Sequence, residues 1–370
     1  MRAFRAPGRV NLIGEHTDYN LGFVLPIALD LACIAKTVPA SGGRLRVRSE
    51  NRAEEKEWDL TAIPSLQPSH DWTDYVIGVA RQLIRAGYVV GPQNIIIDSS
   101  VPEGSGLSSS AALEVSCALA MLNGQPIDRL RIAQLCQGAE REFVGIPSGI
   151  MDQYVAVFGL EGSALEIDCR SLTHRTVSLP PNVEIFAVNT MVKHELAQSA
   201  YKERTEECAA AVESIQNHYP QVQSLRDVGA GALGHIFGGL PNTPARRARH
   251  IVAENERVKQ FIRACQSGNL RKMGDVFFAS HRSLRLDYEV SCPELDFLVE
   301  SAQAIDGVYG ARMTGGGFGG CTVNLVDPAA EEKFQSEIAK RYLERFSITP
   351  QVYRCRPSAG ASEVTMNYAH

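Results

Sequence analysis

The chain has 370 residues, 44% of them hydrophobic and 21% charged, an ordinary globular profile with room for two domains. Its net charge of −5 argues against a general nucleic-acid binder, while a local basic site for a phosphate stays open. Nine scattered cysteines, odd in number and without a CxxC pair, argue against a disulfide framework or structural zinc site and for reduced thiols in the cytoplasm.

The start lacks the apolar run of a signal peptide, and the apolar stretch over 23–38 is interrupted by Pro26, Asp30 and Lys36, so no membrane span is expected. Residues 45–47 and 57–60 read as short strands joined by a polar turn. A helix is expected over 72–86, where Val76, Val79, Ala80 and Leu83 share one face. Ile95-Ile96-Ile97 marks a buried strand, 102–106 a turn-rich loop, and 108–122 a helix small and apolar enough to pack tightly. Further helices are expected over 127–143 and 149–158, and the pattern changes near 168–171. A strand at 183–189, a long charged helix at 195–218 and a glycine-rich loop at 229–239 follow. Helices at 245–265, 270–284 and 294–304 precede strands at 308–314 and 321–326, which flank a glycine loop. An amphipathic helix at 329–346 and a strand at 349–355 end the chain. Mixed elements without strict βαβ alternation favour α+β over a doubly wound sheet. The division between lobes is expected between 172 and 173.

Three loops carry chemistry. Residues 7–20 crowd Arg9, Asn11, Glu15, His16 and Asp18 among turn residues, a set able to hydrogen-bond several hydroxyls as a sugar demands; a capped turn with surface charges fits equally well. Residues 101–112 follow a strand and open a helix. Glycines there let a ligand approach the backbone, helix-start amides favour phosphate, and a serine hydroxyl can ligate magnesium. Three serines in a row exceed what a capped glycine turn requires, and the chain holds no Gly-Lys pair, which excludes a Walker loop. Residues 314–320 match GxGxxG at Gly315, Gly317 and Gly320, but the strand that follows rejects a Rossmann site; a tight hairpin and a ligand approach both remain. Asp152 reads by itself as a helix-start acid, and Glu140 as a magnesium ligand or a solvated face. No HExxH or GxSxG motif supports a metalloprotease or serine hydrolase.

Taken in order, these segments resemble the GHMP kinase superfamily and, within it, the galactokinases. The carriers are 9–20, 104–112 and 313–320, with 149–153, Asp168-Cys169-Arg170-Ser171 and the segment SHRSLRLDYEVSCPELD at 280–296 between them. The resemblance covers nearly the whole chain. It implies two α+β lobes with the site in the cleft, the first over 1–172 and resembling the second domain of a ribosomal protein, the second over 173–349. A C-terminal strand within 350–370 would return to the first lobe. Asp152 matches the catalytic aspartate beside the sugar C1 hydroxyl, with Arg9 next to it. Glu15, His16 and Asp18 match sugar-holding residues, with Gly149 and Tyr201 adding contacts. Gly104, Ser105, Gly106, Leu107, Ser108 and Ser109 match the phosphate cradle, Ser110 and Glu140 the magnesium ligands, and Trp72 and Tyr75 aromatics on the nucleotide side. The implied reaction takes ATP, magnesium and galactose, in a monomer without nucleic-acid or membrane partners. Two departures stand out: the signature lies almost at the N-terminus, without the leading segment of typical galactokinases, and position 105 is Ser where glycine is common. The rivals are a kinase for N-acetylgalactosamine, mannose or arabinose, and a non-catalytic galactose and ATP sensor. Intact Ser110-Ala111 and Asp152 speak against the sensor.

Overall fold

The structure is a computed structural model that describes residues 1–193, 197–229, 231 and 240–365. The first half runs β1 (Arg2–Asn11), β2 (Phe23–Val24), β3 (Pro26–Pro39), β4 (Arg44–Ser49), β5 (Glu54–Asp59), α1 (Thr73–Arg85), β6 (Gln93–Ser99), α2 (Ser109–Leu122), α3 (Arg129–Ala139), α4 (Met151–Phe158), β7 (Ser163–Asp168) and β8 (Thr173–Ser178). The second adds β9 (Glu184–Lys193), α5 (Ala197–Gln216), α6 (Asn242–Gln266), α7 (Leu270–Ser283), α8 (Pro293–Gln303), β10 (Val308–Thr314), β11 (Gly319–Val326), α9 (Glu331–Phe346), β12 (Gln351–Arg354) and β13 (Ser362–Val364).

The strands form a six-stranded sheet ordered β13-β1-β3-β6-β4-β5, a four-stranded sheet β10-β11-β9-β12 and a three-stranded sheet β2-β7-β8. Only the β4–β6 pair is parallel, so the architecture is α+β, in two domains. Strand alternation is plain in β4, where Leu45 and Val47 are buried and Arg44, Arg46 and Arg48 point to solvent. The small buried faces of α2, including Ala112, Val115 and Ala118, let it lie directly on β1 and β3. Among the described residues no helix is long and apolar enough to cross a membrane.

β1, β2, β3, β7 and β8 were not legible in the sequence, and β1 and β3 show why. Pro7-Gly8 looks like a turn but is an irregularity inside β1, where the register to β3 shifts between Pro7 and Arg9. The bulge lets the chain bend without ending the strand, because Phe4, Ala6 and Val10 are buried on either side of it. In β3 the apolar run is broken by Asp30, which is exposed, and Lys36, which is half-buried.

The C-terminal segment divides between the two larger sheets. The strand expected at 349–355 exists as β12, but it pairs with β9 and extends the second sheet. Only β13 returns to the first sheet, pairing with Ala3, Phe4 and Arg5, and 366–370 lie outside the described residues. The division expected between 172 and 173 falls inside the β7–β8 hairpin, which pairs Asp168 with Thr173. The glycine-rich loop expected at 229–239 lies almost wholly outside the described residues, as do 195–196 at the head of the long charged helix.

Two helices widen where they end. The helix expected over 127–143 passes from α3 into a π-helical turn, Glu140–Val144, and α7 passes into another, Leu284–Tyr288. Such turns cluster at functional sites because the extra residue re-aims a side chain. Here they carry Glu140 and Tyr288.

Candidate active site

Gly104, Gly106 and Ser108 all have left-handed backbones, with φ of 70°, 80° and 61°. Ser108 stands at the N-cap of α2 yet makes no capping bond; its Oγ donates instead to the Asp152 carboxylate. A left-handed serine costs about 1–3 kcal/mol, so the conformation is held by what surrounds it. The start of α2 is left without a side-chain cap, and its amides and positive dipole end are open to an anion. A cleft of about 720 Å³ meets that helix start and is lined by Gly104, Gly106, Ser108, Ser109, Ser110, Trp72, Tyr75, Arg9, Asp152 and Gly316. Ser105 and Leu107 do not line it. Ser105 Oγ donates to the Pro102 carbonyl at 2.7 Å and accepts from Leu107 N at 3.3 Å, while the Leu107 carbonyl accepts Arg9 N at 3.0 Å. They brace the loop from behind. Trp72 is steadied by its indole N–H donating to Glu54 at 2.8 Å. Glu103 of the phosphate loop also lines the cleft, as do Asn51 and Arg52, to which nothing in the motifs pointed.

The third glycine loop is the β10–β11 hairpin turn, and it also packs backbone to backbone on the phosphate loop. A Cβ at Gly315 would come within 3.3 Å of the Gly106 carbonyl oxygen, and one at Gly317 within 2.2 Å of the Val290 carbonyl oxygen. Gly316 then reaches the cleft.

The bulge in β1 aims Arg9 at the first turn of α4. Arg9 Nε donates to Asp152 Oδ1 at 2.7 Å and Nη2 to Oδ2 at 2.6 Å, a bidentate pair, while Nη1 donates to the Gly106 carbonyl at 2.6 Å. Burial opposes the Arg9 charge, but the carboxylates of Asp152, Glu15 and Asp18 outweigh it and raise the pKa. Oδ2 also accepts from Ser108, so Oδ1, with one donor, is the freer oxygen for an incoming hydroxyl.

Glu15 is buried and ties the first loop to the third. Its Oε1 accepts from Thr314 Oγ1 and Gly315 N, both at 2.9 Å, with Arg312 Nη2 at 3.3 Å. His16 has a left-handed backbone, φ 64°, and its ring lies 5.6 Å from that of Tyr201. Burial, with the nearby charges of His250, Arg204 and Arg312, pushes the imidazole pKa down to about 3, so His16 is neutral. Asp18 stands against Gly149, where a Cβ would lie 1.9 Å from Asp18 Oδ2 and no larger residue fits. Burial and the neighbouring Asp152 push the Asp18 carboxyl up to about 7. A second cavity of about 700 Å³ reaches Asp18 and Gly149 and is lined by Cys169 and Cys208 as well. The sequence-predicted acceptor residues thus adjoin the phosphate loop through the Arg9–Asp152 pair.

Among the described residues no group of three or more His, Cys, Asp or Glu side chains is placed to hold a metal. Ser110 Oγ does lie 3.4 Å from Glu140 Oε1, and Glu140 Oε2 accepts from Ser148 Oγ at 2.5 Å and Gln153 Nε2 at 3.0 Å. Burial raises the Glu140 pKa. One hydroxyl and one carboxylate beside a phosphate cleft fit magnesium, which keeps waters and takes further oxygens from its nucleotide.

Family models for the galactokinase galactose-binding signature, the GHMP kinases N terminal domain and the GHMP kinases C terminal match residues 2–37, 74–160 and 261–344. A galactokinase of Roseiflexus sp. (strain RS-1) is 45% identical over 369 residues, covering 98% of this chain and 93% of that protein. One of Thermosipho africanus (strain TCF52B) is 39% identical over 363 residues, covering 97% and 99%. The crystal structure of Lactococcus lactis galactokinase complexed with galactose matches at a TM-score of 0.94 and 35% identity, covering 98% of this chain and 95% of that one. The Methanococcus jannaschii mevalonate kinase, at 18% identity and a TM-score of 0.71, covering 96% and 98%, shares the fold.

Proposed function

This chain belongs to the galactokinases of the GHMP kinase superfamily, and we propose that it moves the γ-phosphoryl group of magnesium-bound ATP to the C1 hydroxyl of galactose. The observation that carries the assignment of roles is the Arg9–Asp152 pair, which stands where the uncapped start of α2 meets the hydroxyl-binding loop. Phosphoryl transfer asks a protein mainly for alignment and charge stabilisation. The amides of the phosphate loop and of the α2 start hold the β- and γ-phosphates. Trp72 and Tyr75 wall the nucleotide side. Magnesium, held by Ser110 and Glu140, would offset charge on those phosphates. Asp152 Oδ1 accepts the hydrogen bond of the C1 hydroxyl, aims its oxygen at the phosphorus and takes the proton as the new bond forms. Arg9 keeps Asp152 ionised and faces the charge spread over the transferring group. Glu15, His16, Asp18, Gly149 and Tyr201 hold the remaining sugar hydroxyls. The nine cysteines are free and buried, which suits a reducing compartment, and we assign the enzyme to the cytoplasm.

ADP release from Mg-ATP should be strong with galactose, one galactose 1-phosphate per ADP, and weak with N-acetylgalactosamine, glucose, mannose and arabinose. Turnover on another sugar of that panel would move the specificity and keep the mechanism. Thermal stabilisation by both ligands without any turnover would make the protein a sensor and end the kinase reading.

Asp18 gives the acceptor side a pH dependence. Its carboxyl is raised to about 7 in the free protein, so it is largely protonated at pH 6 and ionised at pH 8. A carboxylate accepts more hydroxyl protons than a carboxylic acid, so KM for galactose should fall several-fold between pH 6 and 8, and Asp18→Asn should flatten the profile. The stability contribution runs the other way. It is full below the unfolded pKa and lost as the pH rises through 7, so galactose should raise Tm more at pH 8 than at pH 6. A KM that is constant across this range would refute the assignment.

A further inference from the structure

His16 has a ring nitrogen that no described residue meets. Nε2 is buried without a hydrogen-bond partner, whereas Nδ1 lies 2.8 Å from the Tyr19 hydroxyl. That hydroxyl lies 2.7 Å from the Tyr288 hydroxyl, which in turn lies 3.1 Å from Cys208 Sγ. The four groups come from the first loop, the π-helical turn after α7, and α5. His16, Tyr288 and Cys208 are buried and Tyr19 is half-buried, with Tyr19 and Cys208 also facing the second cavity.

Each hydroxyl and the thiol carries one hydrogen, so the chain is satisfied only if it runs in one direction. Running from sulfur to imidazole, Cys208 donates to Tyr288, Tyr288 to Tyr19 and Tyr19 to Nδ1, which leaves the ring proton on Nε2. Running the other way, Nδ1–H donates to Tyr19 and the last bond ends on sulfur, which leaves Nε2 bare. A break anywhere sets two donors or two acceptors face to face in a largely buried chain of bonds. The neutral state of His16 forces a choice between the two, because an imidazolium would carry a proton on both nitrogens. A phenol donating to an imidazole nitrogen is a stronger bond than an imidazole N–H donating to a phenol oxygen, and sulfur is a weak partner at either end. The first direction is favoured.

We propose that Tyr288 and Cys208, acting through Tyr19, are positioning residues that fix His16 as the Nε2–H tautomer, so that it donates to one hydroxyl oxygen of the sugar. The inference rests on the reading of His16 as a sugar contact. It gives a role to Cys208, which lies outside the motifs, and to Tyr288, which the 280–296 segment carried without a role and a π-helical turn holds. Specificity follows, since a fixed buried donor rejects a sugar that lacks its partner oxygen.

Tyr288→Phe is the test, because it keeps the ring stacked 4.7 Å from His16 and removes only the hydroxyl. KM for galactose should rise roughly tenfold, with kcat and KM for ATP nearly unchanged. Across the 2-, 3-, 4- and 6-deoxygalactoses, one analogue should be handled equally by wild type and variant, the one lacking the oxygen His16 meets. An equal rise of KM for galactose and all four analogues would reduce Tyr288 to packing and overturn the proposal. An unchanged KM in Tyr288→Phe beside a raised KM in His16→Ala would overturn the relay and keep the sugar site. If His16→Ala also leaves KM unchanged, the sugar reading of His16 fails as well. Nitrogen-15 NMR of histidine-labelled wild-type protein with galactose decides the matter even if Tyr288→Phe does not fold: an Nε2–H signal for His16 supports the relay, and an Nδ1–H signal refutes it.

Discussion

Asp152→Asn should lower kcat by on the order of 10²–10⁴-fold while galactose still binds within a few-fold of wild type. The reason lies in the donors around the side chain. Arg9 gives one N–H to each carboxylate oxygen, and Ser108 gives a third hydrogen to Oδ2. An amide offers one acceptor and one donor to that ring of donors, so an N–H group must face an N–H or O–H group, and the buried Arg9 charge loses its partner. The hydroxyl of the acceptor then has no carboxylate to aim it or to receive its proton. In the proposed site galactose is held mainly by the first loop, which the substitution does not touch. Turnover and calorimetric titration of galactose separate the two effects. A double variant, Arg9→Met with Asp152→Asn, removes the stranded charge and should regain part of the lost Tm without regaining turnover. Near wild-type kcat in Asp152→Asn would sink the proposed role of Asp152.

The parts of this site that were legible in the sequence are those whose chemistry is local. Ser108, Ser109 and Ser110 after two glycines announce a helix start built for an anion, and the glycines at 315–320 announce a close backbone approach. What brings them together is not local. Arg9 meets Asp152 across 143 positions, and Glu15 meets Gly315 across 300. No spacing rule encodes such a distance, and only the order of the motifs, taken as a family resemblance, suggested that they converge. Pro7-Gly8 misleads for a physical reason: the pair that ordinarily ends a strand here bulges one, and the bulge is what frees Arg9 N to bond Leu107. Tyr288 was quoted within the 280–296 segment but given no role, and the helix expected to end at 284 runs on as a π turn to Tyr288, because the change from α to π winding leaves no mark in hydrophobic periodicity. β12 was read as a strand, but the sheet it joins is decided by β9 and not by its own residues.

Glu254→Ala should be the most destabilising single change near the site. Glu254 on α6 is fully buried and accepts from Arg257 Nε at 2.5 Å, Ser280 Oγ at 2.7 Å and Gly14 N at 3.1 Å. Arg312, also fully buried, donates to the carbonyls of Asn11 and Leu12 at 3.1 and 2.7 Å, and His250 Nε2 lies 3.2 Å from the Glu15 carbonyl. The first loop therefore hangs on a buried network of charges supplied by the second half of the chain. Burial works against the ionised Glu254 carboxylate, but Arg257, His250, Arg312 and the Ser280 bond outweigh it and hold the pKa down at about 2. A carboxyl depressed in this way contributes stability that is present above its unfolded pKa near 4.5 and is lost as the pH falls toward 2. Truncation strands Arg257 and the Gly14 amide in a buried site, which costs about 3–5 kcal/mol. Calorimetry should show Tm lowered by several degrees at pH 7, a smaller loss for Glu254→Gln, and a flatter fall of stability between pH 4.5 and 2 in both. KM for galactose should rise more than KM for ATP, because Gly14 leads into Glu15 and His16, whereas the phosphate loop is braced from β1 through Arg9 and Leu107. A Glu254→Ala protein that melts with the wild type would mean that the apolar packing of α6 and α7 holds the loop unaided, and that the buried charges contribute no net stability.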